Sequence, residues 1–125
     1  MEKKRILMVD DEQDFTKMVK LNLEETGKYA VMVENNSNNA FMAAQEFKPD
    51  LILLDVMMPG MDGGDVASEL RSDDTLKDIP IVFLTAILKK GEIDSSDGTM
   101  GGHPFIAKPV SVKDLITCIE KHIAK

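Results

Sequence analysis

The run Leu51-Ile52-Leu53-Leu54 lies between Pro49-Asp50 and Asp55, with the turn signal Pro59-Gly60 shortly beyond. Consecutive apolar residues without alternation describe a strand buried on both faces, the setting of a central strand in a parallel sheet. The run is too short for a helix. A sheet of that kind needs helices on both of its faces, which places the chain in the α/β class. Asp55 falls where this strand leaves the core. In open α/β sheets ligands bind just outside the carboxyl ends of the strands. A carboxylate there is either a site residue or a cap for the next helix, and position alone does not separate the two.

The remaining chain alternates apolar runs with amphipathic segments. Ile6 to Val9 reads as the first strand, closed by Asp10-Asp11-Glu12. Phe15, Met18, Val19 and Leu23 recur at helical spacing, with Gly27 as a carboxyl-terminal stop. Tyr29 to Val33 reads as a weaker second strand near an edge. The Asn-rich turn 35–39 leads to a helix marked by Ala40, Ala43, Ala44 and Phe47. After the strand ending at Asp55, a helix is predicted from about Gly64 to Arg71. A fourth strand spans Ile79 to Leu84 and ends at Thr85, and a short fifth, Phe105 to Ala107, ends at Lys108-Pro109. The last helix carries the stripe Val112, Leu115, Ile116, Ile119 and Ile123, with Ser111 and Asp114 forming a capping box. Strands separated by helices imply right-handed βαβ units. Five of them predict a three-layer, five-stranded parallel sheet in the flavodoxin-like order 2-1-3-4-5, with helices on both faces.

That order makes strands 1, 3, 4 and 5 neighbours, so Asp10-Asp11, Asp55, Thr85 and Lys108 converge on one edge. Two carboxylates about 4 Å apart repel by roughly 4 kcal/mol at an effective dielectric near 20. A third makes a cation necessary. Lys108 offsets one charge, and a hard divalent ion with oxygen ligands, such as Mg²⁺, offsets the rest. A cation, a nucleophilic carboxylate, a hydroxyl and a lysine together are what phosphoryl transfer requires.

Composition removes other classes. The 125 residues suit one domain, 1–125, and the single Cys118 excludes an internal disulfide and fits a reducing compartment. With 22 acidic and 15 basic residues the net charge is −7, a balance that repels nucleic-acid backbones. The amino end has no signal-peptide pattern and no stretch approaches membrane-spanning length, so the expectation is a cytoplasmic, soluble chain without direct nucleic-acid or membrane contacts. His103, His122 and Cys118 have no metal-ligand spacing.

Asp10-Asp11, Asp55, Met58-Pro59-Gly60-Met61-Asp62-Gly63, Thr85-Ala86 and Lys108-Pro109 together resemble, in order and spacing, the receiver domain of two-component response regulators. The resemblance covers nearly the whole chain. It implies that Asp55 is the phosphoacceptor for a sensor histidine kinase or phosphotransfer protein. It also implies that Asp10, Asp11, Asp55 and the backbone carbonyl of Met57 hold Mg²⁺. Thr85 would bond the phosphoryl group, Lys108 would pair with it, and Phe105 would be the switch aromatic that follows Thr85. The implied protein is a signalling switch read by a downstream partner rather than a turnover enzyme, and the end of the chain after the last helix suggests a stand-alone receiver. Met57 and Ile87, as apolar neighbours of the phosphoryl group, would favour slow self-dephosphorylation.

Other readings compete. Asp10-Asp11 are also good helix caps, Thr85 a turn hydroxyl, Lys108 a solvated cation and Phe105 a core residue. A flavodoxin-type binder shares the architecture, but Asp10-Asp11-Glu12 would repel its phosphate. An aspartyl-phosphate phosphatase needs a second aspartate where Met57 stands. The alternative kept is a phosphorylation-independent pseudo-receiver acting as an interaction module. One segment departs from the family pattern: residues 88–103 lack an apolar stripe, and the fourth helix is predicted short or disordered.

Overall fold

A computed structural model describes residues 3–56, 63–85, 99–100, 103–107 and 111–123. The elements follow as β1 (Lys4–Val9), α1 (Gln13–Glu25), β2 (Tyr29–Glu34), a single 3₁₀ turn at Ser37–Asn39, α2 (Ala40–Phe47) and β3 (Leu51–Asp55). After these come α3 (Gly63–Arg71), β4 (Ile81–Thr85), β5 (Thr99–Met100), β6 (His103–Ala107) and α4 (Val112–His122). One sheet runs in the order β2-β1-β3-β4-β6-β5. Its first five members pair in parallel, which is the expected doubly wound order, with the weak second strand at an edge.

Side-chain alternation along each strand divides the core into two layers. Leu7, Val9, Ile52, Leu54, Ile81 and Phe83 face α2 and α3, where Ala40, Ala43, Ala44, Val66, Ala67 and Leu70 meet them. Ile6, Met8, Leu51, Leu53, Val82 and Leu84 face α1 and α4, against Val19, Leu23, Leu115 and Ile119. All four residues of the run Leu51–Leu54 are fully buried because successive side chains enter opposite layers. The polar devices at the helix ends act as the sequence suggests. Gly27 ends α1 with φ +77°, a conformation that costs a residue without a side chain little. The Ser111 hydroxyl accepts from the Asp114 N–H at 3.0 Å and caps α4.

β1 begins at Lys4 rather than Ile6 and β2 ends at Glu34 rather than Val33, and three further differences lie beyond β3. β4 begins at Ile81 rather than Ile79, because the Ile79 N–H closes a turn onto the Leu76 carbonyl and Pro80 follows it. The strand predicted at Phe105 starts two residues earlier, at His103. The third difference is a sixth strand: within the segment that lacks a helical pattern, Thr99 and Met100 pair antiparallel with Pro104 and His103. Only Gly101 and Gly102 separate the partners in sequence, a spacing and composition typical of hairpins. The remainder of the predicted short fourth helix, residues 86–98, lies outside the described residues.

Candidate functional site

Register brings the strand ends together. Val9 pairs with Leu54, Asp55 with Leu84, and Thr85 with Ala107. The residues at or just past the carboxyl ends of β1, β3 and β4 are therefore Asp10, Asp55 and Thr85, side by side on one edge. Asp10 and Asp55 are buried, at 0% and 3% exposure, while Asp11 is exposed. One carboxylate oxygen from each of the three lies within 4.8 Å of the others.

This donor set suits a hard divalent cation. It offers oxygen ligands alone, two of them withdrawn from water and the third facing it, which leaves room for retained waters. Carboxylate charges no more than 4.8 Å apart repel by at least roughly 3 kcal/mol at an effective dielectric of 20.

The local chain holds these groups in place. Asp10 does not cap α1 from the N-cap position, which Glu12 occupies without a side-chain cap bond. Its Oδ1 instead accepts from the Glu12 N–H at 2.9 Å, closing an Asx-type turn just ahead of the helix. Asp10 is thus not the N-cap of α1: one oxygen tightens the loop while the carboxylate stays grouped with Asp11 and Asp55. Past Asp55, the Val56 N–H extends the ladder to the Leu84 carbonyl at 3.0 Å, and the Gly63 N–H returns to the Val56 carbonyl at 2.9 Å.

Two roles escaped sequence reasoning, that of Gly63, read above only as part of the family motif, and that of Asn35. Gly63 begins α3 directly against the backbone of the candidate nucleophile. A Cβ there would stand 2.5 Å from the Asp55 carbonyl oxygen and 2.8 Å from the Val56 Cα. Its sequence signal, a doubled Gly63-Gly64 behind the Asp55 turn, reads equally well as a simple helix start. The other is Asn35, hidden in a run of turn residues, whose Nδ2 donates to the Asp10 carbonyl at 2.8 Å. Nothing in the sequence pairs position 35 with position 10.

Of the remaining candidates, Thr85 and Phe105 occupy backbone positions on the adjacent strands β4 and β6. Lys108 follows the last residue of β6 in sequence but, with Met57, Ile87 and Pro109, lies outside the described residues. Cys118 is half-buried on α4, where burial pushes its thiol up against a smaller opposing effect of Lys121. Burial, with Lys121 beside it, likewise lowers the His122 pKa and favours the neutral ring. Among the described residues, no helix is long and apolar enough to cross a membrane.

Comparison with known proteins agrees with this arrangement. The family model for the response regulator receiver domain matches residues 6–120. The phosphate regulon transcriptional regulatory protein PhoB of Pseudomonas aeruginosa is 40% identical over 115 residues. That match takes in 90% of this chain and 48% of PhoB, so the chain spans about half the length of that relative. Among solved structures, the Vibrio cholerae chemotaxis protein CheY4 is 26% identical, with a TM-score of 0.83 over 96% of this chain and 98% of its own. The N-terminal domain of a response regulator receiver protein from Methanoculleus marisnigri is 30% identical, with a TM-score of 0.71 over 97% of each chain. A family model covering nearly the whole sequence, a close relative and an aligned fold converge on the same assignment. The chain belongs to the response regulator receiver domain family of two-component systems.

Proposed function

We propose that this receiver takes a phosphoryl group on Asp55 in a Mg²⁺-dependent reaction and passes the signal to a partner protein. One observation carries the proposal: three carboxylates from two adjacent strand ends meet within 4.8 Å, and the one ending β3 is buried. Asp10, Asp11 and Asp55 would hold the cation, with the Met57 carbonyl as a further ligand. When bound, Mg²⁺ supplies neutralising charge for the oxygens of the transferring phosphoryl group.

The chain's own part is nucleophilic and positional. An Asp55 Oδ forms the new O–P bond as the N–P bond of a phosphohistidine donor breaks, and the electron pair leaves with the imidazole nitrogen. Attack in line needs the nucleophile fixed. Asp55 gets that rigidity from a β-strand buried in both core layers and from α3 packed against its backbone. Lys108 would pair with the phosphoryl oxygens, Thr85 would donate a hydrogen bond to them, and Phe105 would follow Thr85 inward as the switch. The protein then works as a switch whose covalent state is the output, with a sensor histidine kinase or phosphotransfer protein as donor.

The test is labelling by acetyl phosphate, in which the O–P bond to acetate breaks instead. Wild-type protein should gain one phosphoryl group by intact mass in the presence of Mg²⁺ and none in EDTA. Asp55→Asn should gain none under either condition. Equal labelling of Asp55→Asn would sink the assignment, and an unlabelled wild type would favour a pseudo-receiver.

A further inference from the structure

We infer that Asn35 is a positioning residue for the cation site, acting through the peptide bond that joins Asp10 to Asp11. The inference rests on the reading of those two residues as cation ligands. β1 and β2 remain in register as far as Val9 and Glu34. One residue further, the Asp10 N–H still reaches the Glu34 carbonyl at 3.1 Å. The Asp10 carbonyl lies past the last paired residues of β1 and ahead of α1, and the Asn35 side chain bonds it there.

Its Nδ2 donates both to the Asp10 carbonyl, at 2.8 Å, and to the Thr16 hydroxyl, at 3.0 Å. A carbonyl oxygen can only accept, so the amide nitrogen must face it. Thr16 is 1% exposed, and it is itself held by the first turn of α1. Its hydroxyl donates to the Gln13 carbonyl and its N–H to the Glu12 carbonyl, each at 3.0 Å. From the end of β2, the Asn35 amide therefore joins the Asp10 carbonyl to a buried anchor on the helix.

Turning the Asp10–Asp11 peptide would swing one buried and one exposed carboxylate relative to Asp55. The bond to its carbonyl oxygen opposes that turn for both at once. Groups that orient metal ligands from behind commonly change affinity by about 10–100-fold when removed. Asn35 bonds a main-chain carbonyl and a hydroxyl rather than a carboxylate, so its effect appears in the affinity for the cation rather than in the chemistry of Asp55.

Calorimetric titration with MgCl₂ tests this on the full chain. Asn35→Ala should raise the Mg²⁺ dissociation constant by about tenfold. Thr16→Val should raise it in the same direction but less, whereas Thr16→Ser, which keeps the hydroxyl, should restore it. Gly27→Ala strains the φ +77° position beyond the far end of α1 and should weaken the fold yet leave the constant unchanged, which separates positioning from general destabilisation. At saturating Mg²⁺, acetyl phosphate labelling of Asn35→Ala should recover towards the wild-type rate. A dissociation constant for Asn35→Ala within about twofold of wild type would overturn the inference while leaving Asp55 as acceptor. If Asn35→Ala does not fold, the Thr16 pair decides on the same criterion. A wild type that binds no Mg²⁺ overturns the cation-site reading, and this inference with it.

Discussion

Gly63 illustrates how single atoms constrain the site. Its amide bonds the Val56 carbonyl, and its missing side chain lets α3 begin in contact with the Asp55 backbone. Alanine normally favours a helix over glycine by about 1 kcal/mol. Here its Cβ would meet two backbone atoms closer than 3 Å, and backbone cannot rotate away as a side chain can. Gly63→Ala is therefore expected to destabilise the fold by about 1–3 kcal/mol in urea unfolding, despite the better propensity. It should also slow labelling of Asp55, because the strand end must shift to relieve the clash. A stability equal to wild type would show that α3 moves instead. Asn35 belongs to the same scale: its identity matters through two hydrogen bonds to residues far from it in sequence.

At the scale of elements, the strands were legible wherever burial on both faces left only apolar residues. The four-residue run before Asp55 and the stripe on α4 needed no tertiary information. Boundaries were less legible, since apolar content does not report hydrogen bonding. Ile79 packs against the core, yet its N–H closes a turn and the ladder starts after Pro80. The two-residue strand β5 escaped because Thr99-Met100 is too short for any period to register, although Gly101-Gly102 marked the hairpin. Caps were clearer, because they depend on residues three apart. Ser111→Ala removes the acceptor for the Asp114 N–H and should lower stability by about 1 kcal/mol, read as an earlier urea midpoint with an unchanged slope. An unchanged midpoint would mean that water caps α4 equally well.

For the whole molecule, folding concentrates negative charge at one edge of the sheet, which a bound cation would relieve. Ligand binding to the native state alone stabilises by about 2.7 kcal/mol when the ligand is at one hundred times its dissociation constant. For a domain of this size that corresponds to a rise in Tm on the order of 10 °C. Mg²⁺ should produce such a rise in wild-type protein and little or none in Asp10→Asn, which keeps the turn to Glu12 but loses a charge. Equal rises in both would place the ion elsewhere. The sequence by itself determined the α/β class and the residues at the carboxyl ends of the strands, because burial periodicity is a local consequence of which residues avoid water, and the alternation of strands with helices narrowed the strand order through the handedness of βαβ units. Only the tertiary structure decided that Asp10, Asp11 and Asp55 stand within 4.8 Å, that α3 needs Gly63 to approach Asp55, and that Asn35 holds the Asp10 carbonyl. Those relations join residues on separate elements, Asp10 and Asp55 being 45 positions apart and Asn35 and Asp10 25, and their distances depend on register and packing, which no local pattern encodes.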